Sequence, residues 1–146
     1  MRIQDILAVK GTRVFTTPPD ATLAEAVRHM VEHNIGAMLV CQRELTDGEK
    51  LVGIITERDL LRCFAAGKYD LTQFKVSEAM TVKLITASPS DSVNDLMGVM
   101  TTNRIRHVPI LSEGRLVGMV SIGDLIKSQH DNLAVENQFM REYIQG

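Results

Sequence analysis

Leu51-Val52-Gly53-Ile54-Ile55-Thr56-Glu57-Arg58-Asp59-Leu60 and Leu116-Val117-Gly118-Met119-Val120-Ser121-Ile122-Gly123-Asp124-Leu125 are two versions of one pattern. Each gives an apolar pair, a glycine, a second apolar pair, a hydroxyl residue, two free positions, then Asp and Leu. Upstream the likeness continues, because residues 14–41 run parallel to residues 84–111 at a constant offset of 70. A loop five residues longer in the first copy separates the two matched blocks. The lead-in is repeated too, with Arg2-Ile3-Gln4-Asp5-Ile6-Leu7 answering Lys75-Val76-Ser77-Glu78-Ala79-Met80. Self-similarity at this spacing means one supersecondary unit made twice, each too small to bury its own apolar faces alone.

Within each copy the order of elements can be read locally. Val14–Thr16 and Leu84–Thr86 are short β-prone stretches closed by proline-bearing turns at Pro18-Pro19-Asp20 and Ser88-Pro89-Ser90. A helix follows. Thr22 with Glu25 fits a capping box, and Ser92 with Asp95 is its weaker counterpart. Leu23, Ala26, Val27, Met30 and Val31 then recur at helical spacing, as do Val93, Leu96, Met97 and Met100, so these methionines are expected in the core. Two apolar strands come next, 37–41 with 51–55 and 107–111 with 116–120, joined by turns carrying Asp47-Gly48 and Glu113-Gly114. A second helix starts after Thr56 or Ser121. The expected fold is α/β (α+β): two β-α-β-β-α repeats packed around a pseudo-twofold axis. The expected division is 1–71 for repeat 1 with its lead-in, 72–131 for repeat 2, and 132–146 for a helical tail whose Phe139, Met140, Tyr143 and Ile144 form an apolar stripe.

Composition narrows the function classes. A net charge of −2 over 146 residues argues against a dominant nucleic-acid or anionic-membrane surface. No stretch approaches the ~20 apolar residues of a membrane span, and the N-terminus carries Asp5 with no apolar leader core, so the cytoplasm is the expected location. Cys41 and Cys63 lack the C-x-x-C spacing and sit beside apolar residues, which reads as two reduced buried thiols.

The tandem pattern, with GIITERDLLR and GMVSIGDLIK closing the copies and RIRHVPIL in the second, resembles a pair of CBS domains, named for cystathionine β-synthase. The resemblance spans residues 1–131, and residues 104–127 with the ending EYIQG resemble bacterial stand-alone pairs that bind adenine nucleotides such as AMP or NAD(H). It implies two clefts between the repeats that take adenosyl ligands, no obligatory cofactor, and homodimerisation. It also implies a non-catalytic sensor that signals to a regulated protein through a change of shape or assembly.

Carried onto this sequence, the resemblance assigns phosphate and ribose contacts to Thr56 and Asp59 in the first copy and to Ser121 and Asp124 in the second. The chemistry suits the roles. A carboxylate accepts both hydroxyls of a ribose diol, and a hydroxyl residue at a helix start lies beside N–H groups that favour phosphate. Thr56-x-x-Asp59 and Ser121-x-x-Asp124 equally spell capping boxes, and both roles remain open from spacing alone. Gly53 and Gly118 are taken to allow close backbone approach by the ligand. Thr16, Thr17, Thr86 and Ala87 fall where the resemblance places backbone contacts to adenine. Arg104, Arg106 and His107 precede Pro109 where relatives carry a basic pair facing phosphate, whereas the first copy has the neutral Ile35-Gly36-Ala37 and places its cation at Arg58. Arg supplies a planar donor fork, while His107 helps more at low pH. Pro109 suits an edge or a ligand-facing kink. The expected clefts are therefore unequal, the second being better equipped for phosphate.

Two other classes compete. His29-Met30-Val31-Glu32-His33 spells the H-x-x-E-H of some zinc hydrolases, yet its histidines flank the apolar stripe and no third ligand lies nearby in sequence, so neither catalysis nor a metal is expected. The other class is a partner-binding scaffold with degenerate clefts, against which the retention of both Asp59 and Asp124 with hydroxyl partners is the discriminating feature.

Overall fold

The structure, a computed structural model, describes residues 1–44 and 48–145. Asp47 of the expected first hairpin turn lies outside the described residues. Along the chain the elements are α1 (Ile3–Lys10), β1 (Thr16–Thr17), α2 (Leu23–Glu32), β2 (Ala37–Glu44), β3 (Gly48–Thr56), α3 (Glu57–Ala65), a 3-10 turn (Leu71–Gln73), α4 (Val76–Ala79), α5 (Val93–Asn103), β4 (His107–Ser112), β5 (Arg115–Ser121) and α6 (Ile122–Gln145). They form two compact units, residues 13–85 and residues 1–12 with 86–146. The sequence repeats divide the chain at residue 71, whereas the compact units cut it elsewhere, because each lead-in segment packs into the unit built by the other copy.

In the unit of residues 13–85, β1 pairs in parallel with β2, which pairs antiparallel with β3. Leu23, Ala26, Met30, Met38, Val40 and Ile55 form its core, with the lead-in contributing Val76. Thr22 and Glu25 close the expected capping box, Thr22 Oγ1 accepting from the Glu25 amide at 3.1 Å and Glu25 Oε2 accepting from the Thr22 amide at 3.1 Å. Val31 departs from the expected stripe: it is 75% exposed, lying beyond the angular width that the sheet covers.

In the unit of residues 1–12 and 86–146, β4 and β5 form an antiparallel pair. Their connecting residues Glu113 and Gly114 both have positive φ (52° and 77°), as a two-residue turn matching the strand twist requires. Val93, Leu96, Met100, Val108, Ile110, Val120 and Leu125 build the core, and α1 adds Ile3, Ile6 and Leu7. An eight-residue helix is marginal by itself, so its apolar face at i, i+3 and i+4 holds it in place, at roughly 1.5–3 kcal/mol per buried side chain.

The lead-ins dock in matching ways. Ile3 and Gln4 amides donate to the Asp91 and Pro89 carbonyls at 3.0 and 2.8 Å, and Val76 and Ser77 amides donate to the Ala21 and Pro19 carbonyls at 2.8 and 2.9 Å. The Arg2 amide donates to Asp5 and the Lys75 amide to Glu78, capping both short helices alike.

Two expectations about strands need correction. The first strand lies at Thr16–Thr17, not at 14–16, and in the second copy no strand forms over 84–86; an isolated bridge from Ala87 to Ile110 stands in its place. Pro109 explains the loss. In the first copy the Leu39 amide donates to the Phe15 carbonyl at 3.3 Å, but the matching position 109 is a proline and has no N–H to offer Ile85. Pro109 is buried in β4, an outer strand of the two-stranded sheet, paired with Met119, and its carbonyl accepts from the Ala87 amide at 3.1 Å. The tail is likewise not a separate element, since α6 runs without a break from Ile122 to Gln145.

Candidate ligand site

Both hydroxyl-x-x-Asp patterns form capping boxes at strand-to-helix turns. Thr56 Oγ1 accepts from the Asp59 amide at 3.3 Å while Asp59 Oδ2 accepts from the Thr56 amide at 2.9 Å. Ser121 Oγ accepts from the Asp124 amide at 3.1 Å while Asp124 Oδ2 accepts from the Ser121 amide at 2.8 Å. The first helical amides are also taken, Glu57 by the Gly36 carbonyl at 3.1 Å and Ile122 by the Arg106 carbonyl at 2.8 Å. β-Pairing sets Ala37 opposite Thr56 and His107 opposite Ser121, so within each unit the start of the first hairpin strand meets the start of the following helix. Retention of both Asp residues is therefore explained by capping in both copies, and it no longer separates a binding module from a scaffold.

The two carboxylates differ in what else they touch. Asp59 is 3% exposed, and its Oδ1 accepts from Thr81 Oγ1 at 2.9 Å and lies 3.6 Å from Arg62. With Oδ2 also taking the Thr56 hydroxyl at 3.0 Å, Asp59 is engaged on both oxygens. Asp124 keeps 28% of its side chain exposed. Its Oδ2 also accepts from Lys10 Nζ at 2.6 Å, and the same ammonium donates to the Met119 carbonyl at 2.7 Å. Burial pushes the Asp124 carboxyl pKa up, but hydrogen bonds from Lys10 and Ser121 and the Lys10 charge outweigh it and hold it below the usual value.

Asp124 and Lys10 line a cavity of about 510 Å³, with Lys127, Ser128 and Asp131 from α6 and Ile6 and Val9 from α1. A second cavity of about 390 Å³ is lined by Ile35, Gly36, Glu57 and Leu60 with the end of α2. Neither Thr56 nor Asp59 lines it.

The other predicted residues fall as follows. Thr17 and Ala87 are buried, Thr16 is half-buried and Thr86 exposed. Arg58, Arg104 and Arg106 are exposed, with no ion-pair partner among the described residues. Arg104 ends α5 in the left-handed region (φ 55°), and the matching Asn34, one residue past the His33 cap of α2, has the same conformation (φ 52°). Asn tolerates that conformation better than Arg does. His107 is half-buried at the start of β4.

Gly53 and Gly118 serve a purpose other than ligand approach. A Cβ at Gly53 would meet Met80 Sδ at 2.7 Å, and one at Gly118 would meet Leu7 Cδ2 at 2.8 Å. Met80 and Leu7 are matching lead-in positions, so each glycine makes room for a lead-in side chain. His33 of the H-x-x-E-H pattern stacks on Phe15 at 3.9 Å between ring centroids, with Arg13 over the same Phe15 ring at 4.9 Å. Among the described residues no cluster of His, Cys, Asp and Glu could hold a metal. Cys41 and Cys63 are free and buried, and burial, with Glu49 nearby, pushes the Cys41 thiol up to about 11.

Lys10 and Thr81, the direct partners of the two carboxylates, were missed from sequence. The duplicated lead-in was the available signal, but its alignment stops short of both residues.

No helix among the described residues is long and apolar enough to cross a membrane. A family model described as the CBS domain matches residues 4–66 and 76–131. The chain is 37% identical over 150 residues to the mitochondrial CBS domain-containing protein CBSX3 of Arabidopsis thaliana, covering 99% of this chain and 72% of that protein. Among solved structures it is similar to the CBS-domain containing protein ATU1752 from Agrobacterium tumefaciens, with 38% identity, a TM-score of 0.81, and 88% of this chain and 99% of that one covered. It is also similar to the CBS domain pair of protein MJ0100, solved with 5′-methylthioadenosine and S-adenosyl-L-methionine, with 26% identity, a TM-score of 0.77, and 90% of this chain and 98% of that one covered. Two matched repeats, each with a helix, a hairpin and a capped second helix, place this chain in the CBS-domain family as a tandem pair.

Proposed function

We propose that this protein is a non-catalytic sensor that binds an adenosyl ligand, AMP, NAD(H) or a related adenine nucleotide, and passes its occupancy to a regulated protein through a change of shape or assembly. The observation that carries this reading is the state of Asp124: a charged carboxylate, fixed by the Ser121 amide, more than a quarter exposed, on the wall of a 510 Å³ cavity. That volume lies in the range of small-molecule sites, and a fixed carboxylate is the acceptor a ribose diol needs. The adenosyl ligands of the MJ0100 pair support the ligand class. Ser121 at its helix start and Arg104, Arg106 and His107 of the same unit are proposed further contacts beyond the cavity lining, and Thr56 is proposed for a ligand of its own unit.

Calorimetry against AMP, ADP, ATP, NAD, NADH, S-adenosylmethionine and methylthioadenosine tests the reading. Asp124→Ala is expected to weaken the best ligand by about 1.5–3 kcal/mol, the scale of a hydrogen bond to a charged group. If no adenosyl compound binds the wild-type protein, the sensor reading fails. A ligand signals only through unequal affinity for two states, and a coupling of about 1–3 kcal/mol suffices.

We also infer pairing of two copies, supported by the exposed apolar side chains of Phe139, Met140, Tyr143 and Ile144 on α6. Sedimentation velocity on Phe139→Asp/Tyr143→Asp should show a shift toward monomer; equal sedimentation of variant and wild type counts against that surface. The scaffold alternative is favoured by Asp59, whose two oxygens are already engaged within the fold.

A further inference from the structure

We infer that Lys10 is the specificity-determining residue of the Asp124 site, selecting adenosyl ligands with a 5′-phosphate over neutral or cationic ones; this rests on the sensor reading and deepens it. Lys10 lies outside the repeated motif and reaches the site only because α1 packs against α6. Its Nζ donates to Asp124 Oδ2 at 2.6 Å and to the Met119 carbonyl at 2.7 Å, so two acceptors on β5 and α6 fix the position of the ammonium. Lys10 is one-third exposed and lines the same cavity as Asp124, so a ligand there meets the charge directly.

The geometry sets what such a ligand must look like. A ribose whose hydroxyls donate to the Asp124 carboxylate carries its 5′ substituent across the ring from that carboxylate, on a wall that holds Lys10 and Lys127 together with Asp5 and Asp131. A phosphate there accepts a charge-assisted hydrogen bond from an ammonium already positioned. A thioether at the same place gains nothing from Lys10. A sulfonium is repelled by it. The Asp59 region has no equivalent cation from its lead-in, since the neutral hydroxyl of Thr81 makes the corresponding contact.

Three ligands that share adenosine and differ at the 5′ position provide the test: AMP, methylthioadenosine and S-adenosylmethionine. Each is titrated calorimetrically into the full chain as wild type, Lys10→Met and Lys10→Arg. Met keeps the apolar stem and removes the charge. Lys10→Met is expected to weaken AMP about tenfold, leave methylthioadenosine within about twofold, and tighten S-adenosylmethionine a few-fold, with Lys10→Arg recovering most of the AMP affinity. Equal weakening of all three ligands would show that Lys10 only supports the fold, and tightening of all three would make it a plug that ligands displace. Either result overturns the inference and leaves the sensor reading standing. If none of the three binds the wild type, the sensor reading falls and the inference falls with it. Circular dichroism and the thermal midpoint of each variant separate a change of specificity from loss of fold.

Discussion

Asp59 and Asp124 occupy the same place in two copies of one motif, yet one is sealed into its fold and the other is left at a cavity wall. The difference comes from the lead-in segments. Thr81 meets Asp59 with a short hydroxyl that holds it at 3% exposure, and Lys10 meets Asp124 at the end of a long side chain that leaves 28% of it open. Duplicated motifs thus need not be duplicated sites, because the residue that completes each one comes from a part of the chain under different constraints. Unequal clefts were expected from the distribution of Arg58, Arg104, Arg106 and His107. The inequality the structure shows lies in the two carboxylates and their partners.

The largest expected effect separates the two carboxylates by stability. Asp59→Ala strands the Thr56 amide and the Thr81 hydroxyl in a buried site and should cost roughly 2–3 kcal/mol in urea denaturation. Asp124→Ala removes a half-exposed cap and should cost about 1 kcal/mol. Equal losses would erase the distinction drawn between the two regions.

The glycines give the next contrast. Gly53→Ala presses on Met80 and on the Thr81 carbonyl at 3.0 Å, a backbone atom that cannot rotate away, and should destabilise by about 1–3 kcal/mol. Gly118→Ala meets only the end of the Leu7 side chain, which can turn, so a smaller cost, below about 1.5 kcal/mol, is expected when both variants are compared by urea denaturation.

Acid should act through Asp124. Its folded pKa is depressed, so its stabilising contribution is present above the ordinary carboxylate value near ~3.9 and is lost as pH falls through the lower folded value. Asp124→Asn should flatten the acid limb of stability against pH; an unchanged limb would assign acid sensitivity elsewhere.

The smallest effect is alkaline. The Cys41 pKa is raised to about 11, so burial of the neutral thiol stabilises the fold fully below the unfolded value near ~8.5, and that contribution fades as pH rises through the folded one. Native Cys41 should react with a thiol reagent at pH 8 only at the rate of opening, and fast labelling would contradict its burial.

Periodicity in the sequence was enough to find α2, α5, both hairpins and the capped helices, because a helix or strand buries its stripe at the spacing that makes it legible. Thr22 with Glu25, the methionines at 30 and 100, and the turn at Glu113-Gly114 follow from local chemistry alone. Val31 and the missing strand at 84–86 did not. Val31 sits on a helix flank that only the neighbouring sheet could have covered, and the strand depends on a donor that Pro109 cannot supply across the chain. The same division runs through the site. Thr56, Asp59, Ser121 and Asp124 were visible as a spaced motif, while Thr81 and Lys10 were not, since no spacing records which distant side chain will lie against a carboxylate.

A duplicated α/β unit of the CBS family is legible along the chain, because repetition, capping and hydrophobic period are properties of neighbours in sequence. That each lead-in serves the unit of the other copy, that the glycines make room for it, and that Asp124 stays open beside Lys10 while Asp59 is closed emerge only once the chain is folded. Those outcomes depend on which side chains arrive from far away and how much room they find, and close packing settles that in three dimensions.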